Sequence, residues 1–216
     1  FTNRPDATFG RRAARRAMAS AARRSVVRWG SVGAGTGARA GGLQGGVGTA
    51  SRHVALGDTT VVVGAIAVVN AVGSPCDPTT GLLWEPAGFG LRRPNATMRR
   101  AIADAATTPA ASLNTTIGVV ATSARLDKAE ASKLAAVAHD GLARAIRPAH
   151  GLTDGDTVFA LATGDAELST KPAERIVALN RLLAAGADAF AAACTHAVVS
   201  AATLGAAPAW ADLTAP

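Results

Sequence analysis

The run TTVVVGAIAVVNAVG, residues 59–73, leaves this chain few choices of fold. Valine and isoleucine branch at Cβ and are stiff at χ1, so this density of them favours an extended chain over a helix. The run shows no polar alternation, which predicts a strand covered on both faces, as in a layered α/β protein. Asn70 stands out near its end, because a buried amide has to find hydrogen-bond partners.

A second constraint comes just before it. Nine glycines lie between Gly30 and Gly48 in GSVGAGTGARAGGLQGGVG. Glycine at this density lets backbone approach backbone or ligand closely. The spacing excludes a dinucleotide loop, since Ala38 and Ala40 fall where the third glycine of G-x-G-x-x-G belongs. It also excludes a Walker loop, because no lysine precedes Lys128. Close strand packing beside an active site is the reading that remains.

The formal charge of +7 is local. Residues 1–28 hold Arg4, Arg11, Arg12, Arg15, Arg16, Arg23, Arg24 and Arg28 against Asp6 alone, and the remaining residues balance. The spacing places most of these arginines on one face of a helix over residues 8–24, with Ala14, Met18, Ala21 and Ala22 opposite. Such a face is either a basic patch for nucleic acid or an acidic membrane, or a solvated face or subunit contact. No aromatic residues interleave it, so nucleic acid and membrane are not the expected partners.

Residues 74–114 show no sustained period and read as a long, partly mobile loop. TTIGVVAT, 115–122, reads as a strand with Thr116, Gly118, Val120 and Thr122 on one face. Asp127 with Glu130 forms a capping box for a helix carrying Leu134, Val137, Ala138, Leu142 and Ile146, closed by Pro148. HGLTDGD turns into the strand TVFALAT. A helix opens at Ser169 or Thr170 with Pro172, and a further alanine-rich helix is expected from about 187 to 203, after Gly186. No uncharged apolar run reaches about 18 to 20 residues, so no membrane span is expected. Cys76 and Cys194 lie far apart, which argues against a disulfide framework and for a reducing, cytoplasmic setting.

His53, His139, His150 and His196 lack metal-ligand spacing, so neither metal nor cofactor is expected. His139 reads as a surface or packing residue, and pairing of Cys194 with a histidine has only residue types in its favour. The polar-to-apolar junction SLNTTIGVVAT is more informative. A threonine hydroxyl is a poor nucleophile without a base. At a chain terminus its own α-amino group, with a pKa of roughly 8, can serve as that base. An internal threonine reaches this state only if the preceding peptide bond is cut. Thr115-Thr116 is equally consistent with ordinary β-propensity at a strand start.

Five ordered blocks bear on that choice: GSVGAGTGARAGGLQGGVGTAS, VVVGAIAVVNAVGSP, NTTIGVVAT, AHDGLARAIRPAHG and DGDTVFALATG. Together they resemble the self-processing hydrolases of the DmpA type, aminopeptidase-like amidases with an N-terminal nucleophile on a layered αββα fold. Within that group the chain is similar to the nylon-oligomer hydrolases, which cut linear 6-aminohexanoate amides and use threonine after asparagine. The resemblance implies cleavage between Asn114 and Thr115, with Thr115 as nucleophile and Asn70 helping to hold the oxyanion. It places Asp154 and Asp156 beside the nucleophile, although Asp-Gly-Asp alone is also an ordinary turn. It further implies one hydrolase domain over 1–216 lacking an N-terminal part, split if self-cleaved into an α-chain portion 1–114 and a β chain 115–216. The expected partners are a small oligoamide or peptide substrate and further copies of the chain in a homo-oligomer.

Two positions depart from the family pattern. Gln44 stands where the family carries lysine, and a tyrosine of the family's site has no counterpart in a chain without tyrosine. Gln44 can donate hydrogen bonds but brings no cation. The rival readings are an aminopeptidase on β- or D-peptides, an acyltransferase of the ornithine acetyltransferase type, an inactive truncated family member, and a basic nucleic-acid binder.

Overall fold

A computed structural model describes residues 6–23, 25–86, 88–107 and 114–214. Arg4, Arg24 and the Ser112-Leu113 pair of the junction lie outside the described residues.

Six strands and five helices follow in chain order. Helix α1 spans Ala7–Ala22, β1 Arg39–Ala40, β2 Leu43–Gln44, β3 Gly46–Leu56 and β4 Thr59–Val69. Helix α2 spans Ala96–Ala106, β5 Ile117–Ala124, α3 Lys128–Ala145, β6 Thr157–Ala166, α4 Pro172–Val199 and α5 Trp210–Leu213. The main sheet has the order β3-β4-β5-β6. Its first two pairings are antiparallel and the last is parallel, joined by α3 as crossover. Helices α3 and α4 pack together and cover one face of the sheet.

The glycine-rich stretch does two things. Gly41 and Gly42 form the two-residue turn between β1 and β2, both at positive φ (55° and 83°), a conformation that tight hairpins demand and glycine supplies without strain. Gly48 lets the backbone of β3 touch α4, since a Cβ there would lie 2.1 Å from the Ala193 carbonyl oxygen. The stretch thus becomes an edge strand pressed against a helix.

Residues 59–69 form β4 as expected, but only one face is sealed. Val61, Val63, Ala65, Ala67 and Val69 are buried under the helices, whereas Val62 is exposed. On the same outer side Ile117, Phe159 and Leu161 are 49%, 58% and 60% exposed, which marks that face as uncovered among the described residues. The mixed α/β class holds, and these residues form one helical layer against one sheet.

Three other expectations change. The segment read as a long loop contains α2, whose N-cap Asn95 accepts the Met98 amide, and Ile102 and Ala105 join Leu43, Cys76, Leu83, Val198 and Trp210 in a second core cluster. The two C-terminal helices are one, because Gly186 sits against Leu134, where a Cβ would come within 2.6 Å, and the helix runs on through it. The merged α4 is therefore long and apolar enough, by length and composition, to cross a membrane. Most of it is buried within this fold against the sheet and α3, as a core helix. Phe190, at its centre, is fully buried, a contribution of roughly 1.5–3 kcal/mol. Helix α1 forms over almost the span expected, but none of its residues is buried and Met18 is 66% exposed, so its alanine face is left uncovered among the described residues.

Candidate active site

The start of β5 brings most of the predicted residues together. β5 and β6 run parallel, and their register continues past the strand ends to pair Asn114 with Asp154. The Asn114 amide donates to the Thr153 carbonyl at 3.3 Å, and the Gly155 amide donates to the Asn114 carbonyl oxygen at 2.9 Å. The Thr115 hydroxyl donates to the same oxygen at 2.5 Å. A nucleophile candidate and a backbone donor therefore meet at the carbonyl of the expected scissile bond.

Neighbouring contacts fix this junction from both sides. The Thr115 amide donates to the Asn70 carbonyl oxygen at 2.6 Å, and the Thr116 amide donates to Asp156 Oδ1 at 2.7 Å. Asn70 lies just past β4, and its Oδ1 accepts the Arg39 amide at 3.0 Å. Among the described residues its Nδ2 makes no hydrogen bond. Thr115 is half-buried, whereas Asn114 and Thr116 are buried. The Thr116 hydroxyl, on the helix-covered face, has no partner.

The two aspartates act through the backbone. Asp154 Oδ1 accepts the Val72 amide at 3.1 Å and Oδ2 accepts the Gly151 amide at 3.1 Å, tying the turn to the end of β4. Asp156 also receives His150, whose Nδ1 lies 2.8 Å and whose amide lies 3.3 Å from Oδ2. Neither carboxylate touches the Thr115 hydroxyl directly. The sequence reading passed over His150. A histidine directly before the Gly-Leu-Thr-Asp turn was the available signal, but only the fold of that turn brings it to Asp156.

Gln44 is placed differently. It is 2% exposed, and its Nε2 faces the carbonyl oxygens of Gly35, Thr36, Ala38 and Gly45 at 2.8–3.3 Å. It holds the glycine loop together and makes no contact with Thr115. The fourfold carbonyl cage suits a cationic donor as well as an amide.

The cysteines are unsuited to nucleophilic work. Cys194 is fully buried, and burial pushes its thiol far above the usual range; burial likewise raises Cys76 to about 11. His139, on α3, has its pKa lowered by burial and then by the neighbouring His150 ring, 4.9 Å away between centroids. Among the described residues no three His, Cys, Asp or Glu side chains converge as a metal site. A groove of about 470 Å³ lined by Leu56, Leu168, Val177 and Arg181 contains none of the predicted site residues.

Known proteins are similar to this chain over much of its length. The chain is 49% identical over 185 residues to an uncharacterized aminopeptidase of Mycobacterium leprae (strain TN), covering 83% of this chain and 50% of that one. It is 34% identical over 130 residues to a 6-aminohexanoate-oligomer endohydrolase of Kocuria sp. (strain KY2), covering 59% of this chain and 36% of that one. In three dimensions it resembles the L-aminopeptidase D-Ala-esterase/amidase of Ochrobactrum anthropi, a variant of the Ntn-hydrolase fold. The TM-score is 0.60 at 25% identity, over 82% of this chain and 46% of that one. The chain thus spans about half the length of the curated relatives it matches. Its residues 5–209 match peptidase family S58, and the chain belongs to that family.

Proposed function

We propose that this protein is a self-processing amide hydrolase whose nucleophile is Thr115, released by cleavage after Asn114. The observation that carries the reading is the Asn114 carbonyl oxygen, which accepts both the Gly155 amide and the Thr115 hydroxyl. In the cleavage, Thr115 Oγ bonds to the Asn114 carbonyl carbon while the Gly155 amide steadies the developing oxyanion. The C–N bond then breaks, and the hydroxyl proton ends on the amine that leaves. Water hydrolyses the ester, giving an Asn114 carboxylate and a free Thr115 amino group and hydroxyl.

The new amino group lies where the Thr115 amide now donates to the Asn70 carbonyl, so it starts out anchored. It accepts the Oγ proton as Oγ attacks a substrate amide, and water later releases the acyl group. The Gly155 amide and Asn70 Nδ2 are the donors at hand for the substrate oxyanion. Linear amides are the proposed substrates, of 6-aminohexanoate type or short peptides. The mycobacterial relative, named as an aminopeptidase, supports testing peptides alongside the oligomers.

The test is a denaturing gel of purified protein, N-terminal sequencing of any smaller fragment, and assays of product amines from both substrate types. A fragment beginning Thr-Thr-Ile, with amine release, supports the reading. An uncut chain that hydrolyses no amide overturns it.

A further inference from the structure

We propose that His150 is a positioning residue for this site: it holds the Asp156 carboxylate in the orientation that lets the carboxylate's other oxygen pin the amide of Thr116. The inference rests on the reading of Thr115 as nucleophile.

The Asp156 side chain is 4% exposed, and a carboxylate buried to that degree needs several donors. It has three. The Thr116 amide serves Oδ1, and His150 provides both donors to Oδ2, from its amide and from Nδ1. An ionised carboxylate only accepts, so Nδ1 carries the proton.

His150 makes both contacts from an unusual backbone conformation. Its φ is +58°, the only positive φ outside glycine among the described residues. This left-handed region is disfavoured for a residue with a Cβ; outside glycine it is entered by a few per cent of residues, asparagine, aspartate and histidine most often. Residues held there against preference concentrate at functional sites. The double contact to one oxygen is a specific reason for the chain to keep a histidine here. His139 packs against the ring from α3, 4.9 Å between centroids, and its pKa is lowered first by burial and then by His150.

The effect on chemistry passes through the backbone. Asn114, Thr115 and Thr116 are each pinned, by Gly155, Asn70 and Asp156 respectively. Without the His150 ring the carboxylate loses its shortest contact on Oδ2 and is free to rotate, which releases the Thr116 amide. Oγ of Thr115 then samples positions away from the line of attack, where small displacements are costly in rate.

The test uses two substitutions in the full chain. His150→Gly relieves the left-handed strain and keeps the amide contact but deletes the ring. His150→Asn tolerates the same φ and offers an amide N–H near the Nδ1 position. The glycine variant should unfold at the same or higher denaturant concentration yet cleave itself about tenfold more slowly. Any hydrolysis should show reduced kcat at unchanged KM. The asparagine variant should recover most of the rate. Glycine-variant cleavage at the wild-type rate, or a rate loss matched by lost stability, overturns the proposal. A readout independent of activity is the ¹⁵N spectrum of the imidazoles at pH 8. It should show the Nδ1–H tautomer for His150, and the Nε2–H tautomer would overturn the proposal even in a chain that never cleaves. An uncut wild type that keeps the Nδ1–H tautomer fails the nucleophile reading and, with it, the positioning role.

Discussion

The amide of Gly155 donates to the carbonyl oxygen of Asn114 at 2.9 Å, beside a parallel bridge that continues the register of β5 and β6 beyond the strand ends. The same glycine leaves room for the nucleophile, since a Cβ on it would lie 2.9 Å from Thr115 Oγ. Its φ lies outside the left-handed region, so alanine is accepted by the backbone and rejected by the hydroxyl. Gly155→Ala should slow self-cleavage by about ten- to a hundredfold with little change in unfolding midpoint. A time course of fragment appearance on a gel reads the first, and urea unfolding reads the second.

Thr115 carries the reacting oxygen in the proposed mechanism. Thr115→Ala should leave a single uncut chain and lower amide hydrolysis by more than about a thousandfold. Thr115→Ser, which keeps an Oγ, should still cut between 114 and 115. Mass spectrometry of the two variants after equal incubation separates the outcomes.

Thr116 is its structural counterpart. Among the described residues its hydroxyl is buried without a partner, and its hydrogen bonds run through the backbone, the amide to Asp156 and the carbonyl from Thr157. Thr116→Val keeps the shape and removes an unsatisfied donor, so stability should be unchanged or up to about 1 kcal/mol higher, with normal cleavage. Thermal melting and the same gel assay check both.

Gln44 ties together four carbonyl groups of the glycine loop. Gln44→Leu removes this buried amide donor from the loop and should cost about 1–2 kcal/mol, read as a lower urea midpoint. A change in cleavage without a change in stability would contradict its place in the structure.

Glu130 gives a pH prediction. The Arg175 guanidinium hydrogen-bonds to it and holds its carboxyl below the ordinary 4.5, burial opposes this, and the Asp127 amide of the capping box adds to the lowering. The folded value lies below the unfolded one, so the stabilisation is complete above about 4.5 and is lost as pH falls through the folded value. Glu130→Gln should cost about 1 kcal/mol at pH 7 and flatten stability against pH below 4.5, measured by urea titrations from pH 7 to 3.

Local chemistry explains what could be read in advance. Asp127 and Glu130 made α3 legible because a capping box is complete within four residues; of its expected stripe Leu134, Ala138 and Leu142 are buried, Val137 is only partly so, and Ile146 is buried as the extended C-cap. The alternation along β5 was legible because strand geometry has period two, and Thr116, Gly118, Val120 and Thr122 do face the helices. The Asn114-Thr115 junction was legible as a motif. Missed elements depend on distant partners. The glycines before Gly48 announce close strand packing but not the length of β3 or its helix partner, α2 has no apolar stripe long enough to announce itself, and Gly186 looks like a helix end until Leu134 is seen packed upon it.

The sequence by itself determined the strand-forming runs, the capped helix, the α/β class and the residue types gathered at the junction. Their causes are torsional preference, side-chain period and hydrogen bonds that close within a few residues. Only the tertiary structure decided that Gly155 would face the Asn114 carbonyl, that Gln44 would turn into a carbonyl cage, and that His150 would grip Asp156. Those contacts arise from the parallel register of β5 on β6 and from turns folded back onto it. The strand pairing joins residues about 40 positions apart, while the Gln44 and His150 contacts are short in sequence but depend on how their loops fold, so no local pattern specifies which donor will meet which acceptor.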